Sequence, residues 1–244
     1  MEVSMYDEYP SLAQHLQTLN LGDYLEFGCG DGGFLKYVLD QNDSFSSVTA
    51  VDINLQAVEQ ARVNLVDYDI QFIIQENLPL DRGAEQFSTI TLSNTLHHLR
   101  EKGSVFSELK RLIKPDGQII IAEMVSNDLS DAEQTYCDFH ALRATTDRLH
   151  GIYHDMTYAF DDIVKMVDEA GLVIDKKEIL LNDKTVEMDG DEISEMETII
   201  DELVQGEIER PEYGELAKQA ESIKENLRTF GIKRPRQLYL ETAL

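Results

Sequence analysis

The sequence predicts an α/β fold built on a doubly wound sheet, and three observations carry that prediction. Short apolar runs rich in β-branched residues alternate with helical patterns through the first 125 residues. These runs lack the polar alternation of half-exposed strands, as expected of parallel strands covered on both faces. The first run turns at once into a glycine-rich stretch that opens a helical pattern, the grammar of a βαβ unit.

In chain order, Asp23 to Phe27 reads as a first strand and Phe34 to Leu39 as the first core helix. Ser47 to Asp52 is a second strand, Leu55 to Leu65 a helix, and Gln71 to Ile74 a third strand. Phe87 to Leu92 makes a fourth strand, and the helix Ser104 to Ile113 leads through a turn, Lys114-Pro-Asp-Gly117, into a fifth at Gln118 to Ala122. Beyond it, Asp131 to about His150 and Tyr158 to Ala170 are helical. Gly171 is placed to end the second of these as a C′ glycine. Leu172 to Leu181 reads as a sixth strand and Arg236 to Glu241 as a last one.

Between those two strands lies an insertion with helical spacing at Ile193, Met196, Ile199, Ile200 and Leu203, and again at Leu216, Ala220, Ile223, Leu227 and Phe230. Pro211 separates the two patterns. Thr185 to Glu209 has ten acids and no Lys or Arg, whereas Arg210 to Arg236 has seven bases and four acids. Opposite charge on adjacent amphipathic helices favours an antiparallel pair.

The chain has 244 residues, 27.8 kDa and 42% hydrophobic content, enough for one large domain and too apolar for general disorder. The reading is a single domain over 1–244, with a core at 20–183 and 234–244, an insertion at about 186–232, and a helical cap at 1–20. A formal charge of -26 argues against nucleic acid and anionic membranes as partners. Cys29 and Cys137 are too few for a disulfide framework, and no targeting segment or membrane-length apolar run is visible, so a cytoplasmic setting is expected.

The stretch Glu26-Phe-Gly28-Cys-Gly30-Asp-Gly32-Gly33 carries the chemistry. Glycines there let the backbone reach positive φ and approach a ligand. Gly28, Gly30 and Gly33 satisfy the dinucleotide spacing, and Asp52 supplies a ribose-binding acid at the end of the next strand. Spacing alone therefore leaves an NAD(P)-dependent oxidoreductase open. Glu26 weighs against it, because a carboxylate there repels a pyrophosphate and attracts the ammonium of an amino-acid moiety.

Two further stretches follow in order: Ser93-Asn-Thr-Leu-His-His-Leu99 after the fourth strand, and Glu108-Leu-Lys-Arg-Leu-Ile-Lys-Pro-Asp-Gly117 before the fifth. With the glycine loop and Asp52, over roughly residues 20 to 125, the chain resembles the class I S-adenosylmethionine-dependent methyltransferases. Within them it is similar to the small-molecule group around the ubiquinone/menaquinone C-methyltransferases. The resemblance implies a Rossmann-like sheet of seven strands, mostly parallel with an antiparallel last strand, and S-adenosyl-L-methionine as cofactor. It assigns Glu26 to the methionine end and the backbone of Gly28, Cys29, Gly30 and Gly32 to the passage beneath it. Asp52 takes the ribose hydroxyls, Ile53 packs on adenine, and Asn94 lies at the crevice. The acid that the family places near the third strand falls on Ile74 here, so adenine recognition shifts to Gln75, Glu76 or Asn77. Asp116 stands for a glycine, and Ser88 for the Asp that begins the fourth strand. Packing or helix-start roles are expected of His97 and His98, and a small-loop-residue role of Cys29.

On the acceptor side, His140, Arg143, Asp147, His150 and His154 are spaced 3, 4, 3, 4, which puts them on one helical face if Gly151 does not end the helix. They are read as the wall of a small-molecule pocket, with a His as base and Arg143 for an anionic group. A metal at His150, His154 and Asp147 is chemically conceivable, but the reading adopts none. The helical pair is read as a lid or as a homodimer surface, and a non-catalytic S-adenosylmethionine-binding module is the remaining alternative.

Overall fold

The apolar runs become seven strands: β1 (Gly22–Phe27), β2 (Phe45–Asp52), β3 (Ile70–Ile74), β4 (Phe87–Ser93), β5 (Ile113–Met124), β6 (Val173–Leu180) and β7 (Gln237–Ala243). The helices are α1 (Pro10–Thr18), α2 (Gly33–Gln41), α3 (Leu55–Asn64), α4 (Lys102–Leu112), α5 (Asp131–Leu149), α6 (Phe160–Glu169), α7 (Gly190–Gln205) and α8 (Tyr213–Phe230). The structure, a computed structural model, describes residues 4–186 and 188–244, so residues 1–3 of the expected cap lie outside the described residues.

The sheet order is β3-β2-β1-β4-β5-β7-β6. β1 pairs in parallel with both β2 and β4, β2 with β3, and β4 with β5, while β6 runs antiparallel to β7. The chain therefore winds outward from β1 in both directions, and the crevice between β1 and β4 is the switch point where such sheets bind ligands.

The chain divides into two compact units: Met1–Glu123, Asp161–Leu181 and Gln237–Leu244 in one; Met124–Phe160 and Asn182–Arg236 in the other. In the first, Leu12 and Leu16 of α1, Tyr24 of β1, Leu35 and Val38 of α2, Ala61 of α3 and Tyr239 of β7 share one buried cluster. Each fully buried leucine contributes about 1.5–3 kcal/mol relative to exposure. Asn42 donates its amide to the carbonyls of Leu16 and Leu19 at 2.6 and 2.9 Å, satisfying groups that the end of α1 leaves open.

The expected turn at 114–117 is absorbed into β5. Phe87 pairs with Ile113 and Thr89 with Gln118, so residues 114–117 bulge from the ladder rather than ending it. Gly117 is needed there, since a Cβ would lie 2.9 Å from the Ser88 carbonyl.

In the second unit, Leu142 of α5, Ile200 and Val204 of α7, and Leu216, Ala220, Ile223 and Leu227 of α8 form a separate core. The charge complementarity of the two inserted helices is realised in Arg228–Glu197 at 2.5 Å and Lys224–Asp201 at 2.7 Å. Ser130 caps α5 through a reciprocal capping box with Glu133. Among the described residues, no helix is long and apolar enough to cross a membrane.

Candidate functional site

The glycine loop is held by backbone. The amides of Gly28 and Cys29 both donate to the Val51 carbonyl, at 2.8 and 3.0 Å, which ties the end of β1 to the end of β2. Gly28, Gly30 and Gly32 have φ of 79°, 51° and 82°. A Cβ on Gly28 would lie 2.4 Å from Thr95, and one on Gly32 2.5 Å from Leu65. Over Gly30 nothing lies within 4 Å, so the loop packs tightly at its ends and leaves space at its middle.

Glu26, near the end of β1, is 1% exposed. Its carboxyl is hydrogen-bonded by the Tyr24 phenol at 2.8 Å, and the Thr91 hydroxyl also bonds it. Tyr24 and Glu26 are two residues apart on one strand and so share a face, with Thr91 paired beside Glu26 on β4. Burial pushes the Glu26 carboxyl up to about 8, against the smaller lowering effect of the two hydroxyls. Burial also pushes up the Cys29 thiol, with help from the Asp52 carboxylate. A thiol held protonated is no nucleophile, in keeping with a small loop residue.

Asp52 accepts from the Gly30 amide at 2.8 Å through Oδ2 and from the Asn54 amide at 2.9 Å through Oδ1. It braces the loop, and each oxygen has a further lone pair for a ligand. Ile53 beside it, just past the carboxyl end of β2, is 66% exposed, an apolar side chain left in solvent. Gln75 is consumed locally: its amide donates to the carbonyls of Asn77 and Pro79 at 2.6 and 2.9 Å, and its oxygen accepts from the Asp81 amide. Glu76 and Asn77 remain exposed on the loop it stitches. Asn94 follows β4 with φ 47°, its amide donating to the Ala122 carbonyl at 2.8 Å.

The packing role expected of His97 understates what surrounds it. His97 and Glu123, both within a few per cent of full burial, meet at 2.6 Å between Nδ1 and Oε1. The other carboxylate oxygen accepts from the Leu96 amide at 2.9 Å. A glutamate held at both oxygens fixes the orientation of the His97 ring. The signal in the sequence was a single glutamate closing the apolar run Gln118-Ile-Ile-Ile-Ala-Glu123. His98 is exposed, with its ring 4.3 Å from that of His97.

In the second unit the single helical stripe is corrected. Gly151, with φ 78°, lies just past the end of α5, so His154 belongs to the following loop and His150 caps the helix. His154 nevertheless returns to the helix: Nδ1 lies 2.6 Å from Asp147 Oδ2, and Nε2 lies 3.1 Å from His140 Nε2. Arg148 donates to the His154 carbonyl at 2.7 Å and fixes the loop. These two imidazoles and one carboxylate form a partly buried chain. His150 is drawn away to the buried Glu207 at 2.5 Å, and Arg143 is exposed. Tertiary contacts, rather than helical period, sort the five residues.

Residues 25–119 match the family model described as a methyltransferase domain. Over 113 residues, 43% of the chain, it is 31% identical to the polyketide synthase component of lovastatin nonaketide synthase from Aspergillus terreus, covering 4% of that protein. Over 125 residues, 49% of the chain, it is 28% identical to a ubiquinone biosynthesis O-methyltransferase from Erwinia tasmaniensis, of which it spans 49%. The chain thus spans half or less of these curated relatives. An S-adenosylmethionine-dependent methyltransferase from Mesorhizobium loti shares the fold, with a TM-score of 0.55, 16% identity and 96% of each chain covered. Residues 25–119 therefore match a methyltransferase domain, and the chain shares the fold of S-adenosylmethionine-dependent methyltransferases, whose cofactor is S-adenosylmethionine.

Proposed function

We propose that the chain transfers the methyl group of S-adenosylmethionine to a small-molecule acceptor by in-line displacement. One observation carries this reading: the carboxyl ends of β1 and β2 gather a buried carboxyl at Glu26, open space over Gly30, and the Asp52 carboxylate with exposed Ile53 beside it. The residues fit the cofactor. Glu26 meets the ammonium, the backbone from Gly28 through Cys29 and Gly30 to Gly32 passes beneath the methionine end, and Asp52 uses its remaining lone pairs on the ribose hydroxyls. Ile53 covers one adenine face, with Glu76 and Asn77 at the base edge and Asn94 beside the crevice. A dinucleotide pyrophosphate brings no ammonium for the Glu26 carboxyl to pair with, which disfavours the oxidoreductase alternative.

When bound, the cofactor supplies an electrophilic methyl carbon. The chain's own work is alignment, exclusion of water and, for an acceptor that arrives protonated, removal of a proton. In the first unit His97, oriented by Glu123, is the proposed proton acceptor. In the second unit the reading keeps His140, Arg143, Asp147, His150 and His154 as acceptor-binding candidates, with the hydrogen-bonded set His140, Asp147 and His154 at their centre. His150 and Arg143 have peripheral roles. The formal charge of -26 supports a small molecule rather than nucleic acid or an anionic membrane as partner. A homodimer through α7 and α8 remains part of the proposal and would show as a doubled mass in light scattering.

The test is formation of S-adenosylhomocysteine from S-adenosylmethionine with a panel of phenol, carboxylic acid and enolisable carbonyl acceptors. Turnover with one class, lost in His97→Asn while cofactor affinity is retained, supports the reading. Absence of S-adenosylhomocysteine binding overturns it.

A further inference from the structure

The Glu26 carboxyl is buried among groups that cannot balance a negative charge. Its hydrogen-bond partners among the described residues are the Tyr24 phenol and the Thr91 hydroxyl. β2 sets Ala50 opposite it, β4 adds Thr91, and the glycine loop adds Cys29. The titratable groups among these neighbours are Tyr24 and Cys29, both pushed up chiefly by burial, so both stay neutral at physiological pH. A buried carboxylate with no cation is costly, whereas the neutral acid, bonded to two hydroxyls, is not.

We propose that Glu26 makes cofactor binding proton-linked: it waits as the neutral acid and releases its proton to solvent when the ligand's ammonium arrives. This rests on the assignment of Glu26 to the amino-acid end of the cofactor. The balance is simple. A carboxylic acid and an ammonium ligand become a carboxylate–ammonium pair and one free proton, with no bond to carbon made or broken. Burial holds the carboxyl up to about 8, so the exchange operates across the neutral range. It also gives specificity, because an adenosyl thioether without the ammonium has nothing to offer the site.

The experiment is titration calorimetry of the full chain with S-adenosylhomocysteine at about pH 6 and pH 7, in two buffers of different ionisation enthalpy. The ligand amine is largely charged at both. Affinity should tighten about tenfold over that unit, with about one proton released per ligand bound. 5′-Methylthioadenosine, which keeps the nucleoside and thioether but lacks the amino acid, should show neither effect on the same wild-type protein. Glu26→Gln, which retains hydrogen bonding to Tyr24 and Thr91, should abolish the pH step. Binding without proton release, or a step that survives in Glu26→Gln, overturns the proposal and leaves the cofactor assignment standing. No binding of S-adenosylhomocysteine at either pH overturns the assignment beneath it.

Discussion

Glu26 and Asp52 are both acids at strand ends, yet the fold treats them in opposite ways. Asp52 is half-buried with two backbone amides donating to it, while Glu26 is enclosed with only hydroxyls for company. For Asp52, the isosteric change to Asn removes one charge-assisted acceptor and should weaken S-adenosylhomocysteine binding by about 1.5–3 kcal/mol, read by calorimetry. An unchanged dissociation constant would contradict the ribose assignment. For Glu26 the folded protein keeps a proton that the unfolded chain loses above its ordinary value of 4.5. Its stabilising contribution is complete below that value and is lost as pH rises toward about 8. The thermal midpoint of the cofactor-free protein should therefore fall relative to Glu26→Gln between about pH 5 and pH 8. Parallel curves would show the carboxyl ionising in the same range folded and unfolded. Glu26 was legible because it stands two residues before the first glycine. His97 with Glu123 was not, because a pair 26 residues apart declares itself only when β4 and β5 lie side by side.

At the scale of elements, the strands and core helices were legible from their apolar runs, since strands buried on both faces write continuous hydrophobic sequence. Two misreadings share a cause. The 114–117 stretch has turn residues but is carried into β5 as a bulge, its Lys114 paired with Asp23 at 2.7 Å. The stripe from His140 to His154 has helical spacing, but the helix ends at Leu149, and a hydrogen bond to Asp147 returns His154. Local pattern gave way to tertiary contact in both. The cap of α5 is a local feature, so Ser130→Ala should cost about 1 kcal/mol of stability, seen in denaturant unfolding. A change near zero would mean that Glu133, which also accepts from the Arg236 amide at 3.2 Å, holds the helix start alone.

At the scale of the whole molecule, the charge of -26 has three destinations. In the proposed reading, Glu26 and Asp52 serve a ligand bearing an ammonium, a sulfonium and ribose. Acids of α7 pair with bases of α8, as in Asp201–Lys224 and Glu197–Arg228. The remainder is a solvated, self-repelling surface, so raising salt from low ionic strength to about 0.15 M should raise the thermal midpoint, and no change would mean that the acids are already neutralised locally. The same sum could not name an acceptor, because the side chains on that side are sorted by loop geometry rather than by composition. The central claim is that the glycine loop, Glu26 and Asp52 hold an adenosyl amino acid rather than a dinucleotide, and parallel calorimetric titrations of the full chain with S-adenosylhomocysteine and with NAD test it most directly. Saturable binding of one S-adenosylhomocysteine per chain, weakened in Asp52→Asn and not displaced by NAD, is the predicted result; tight binding of NAD with no response to S-adenosylhomocysteine would contradict it.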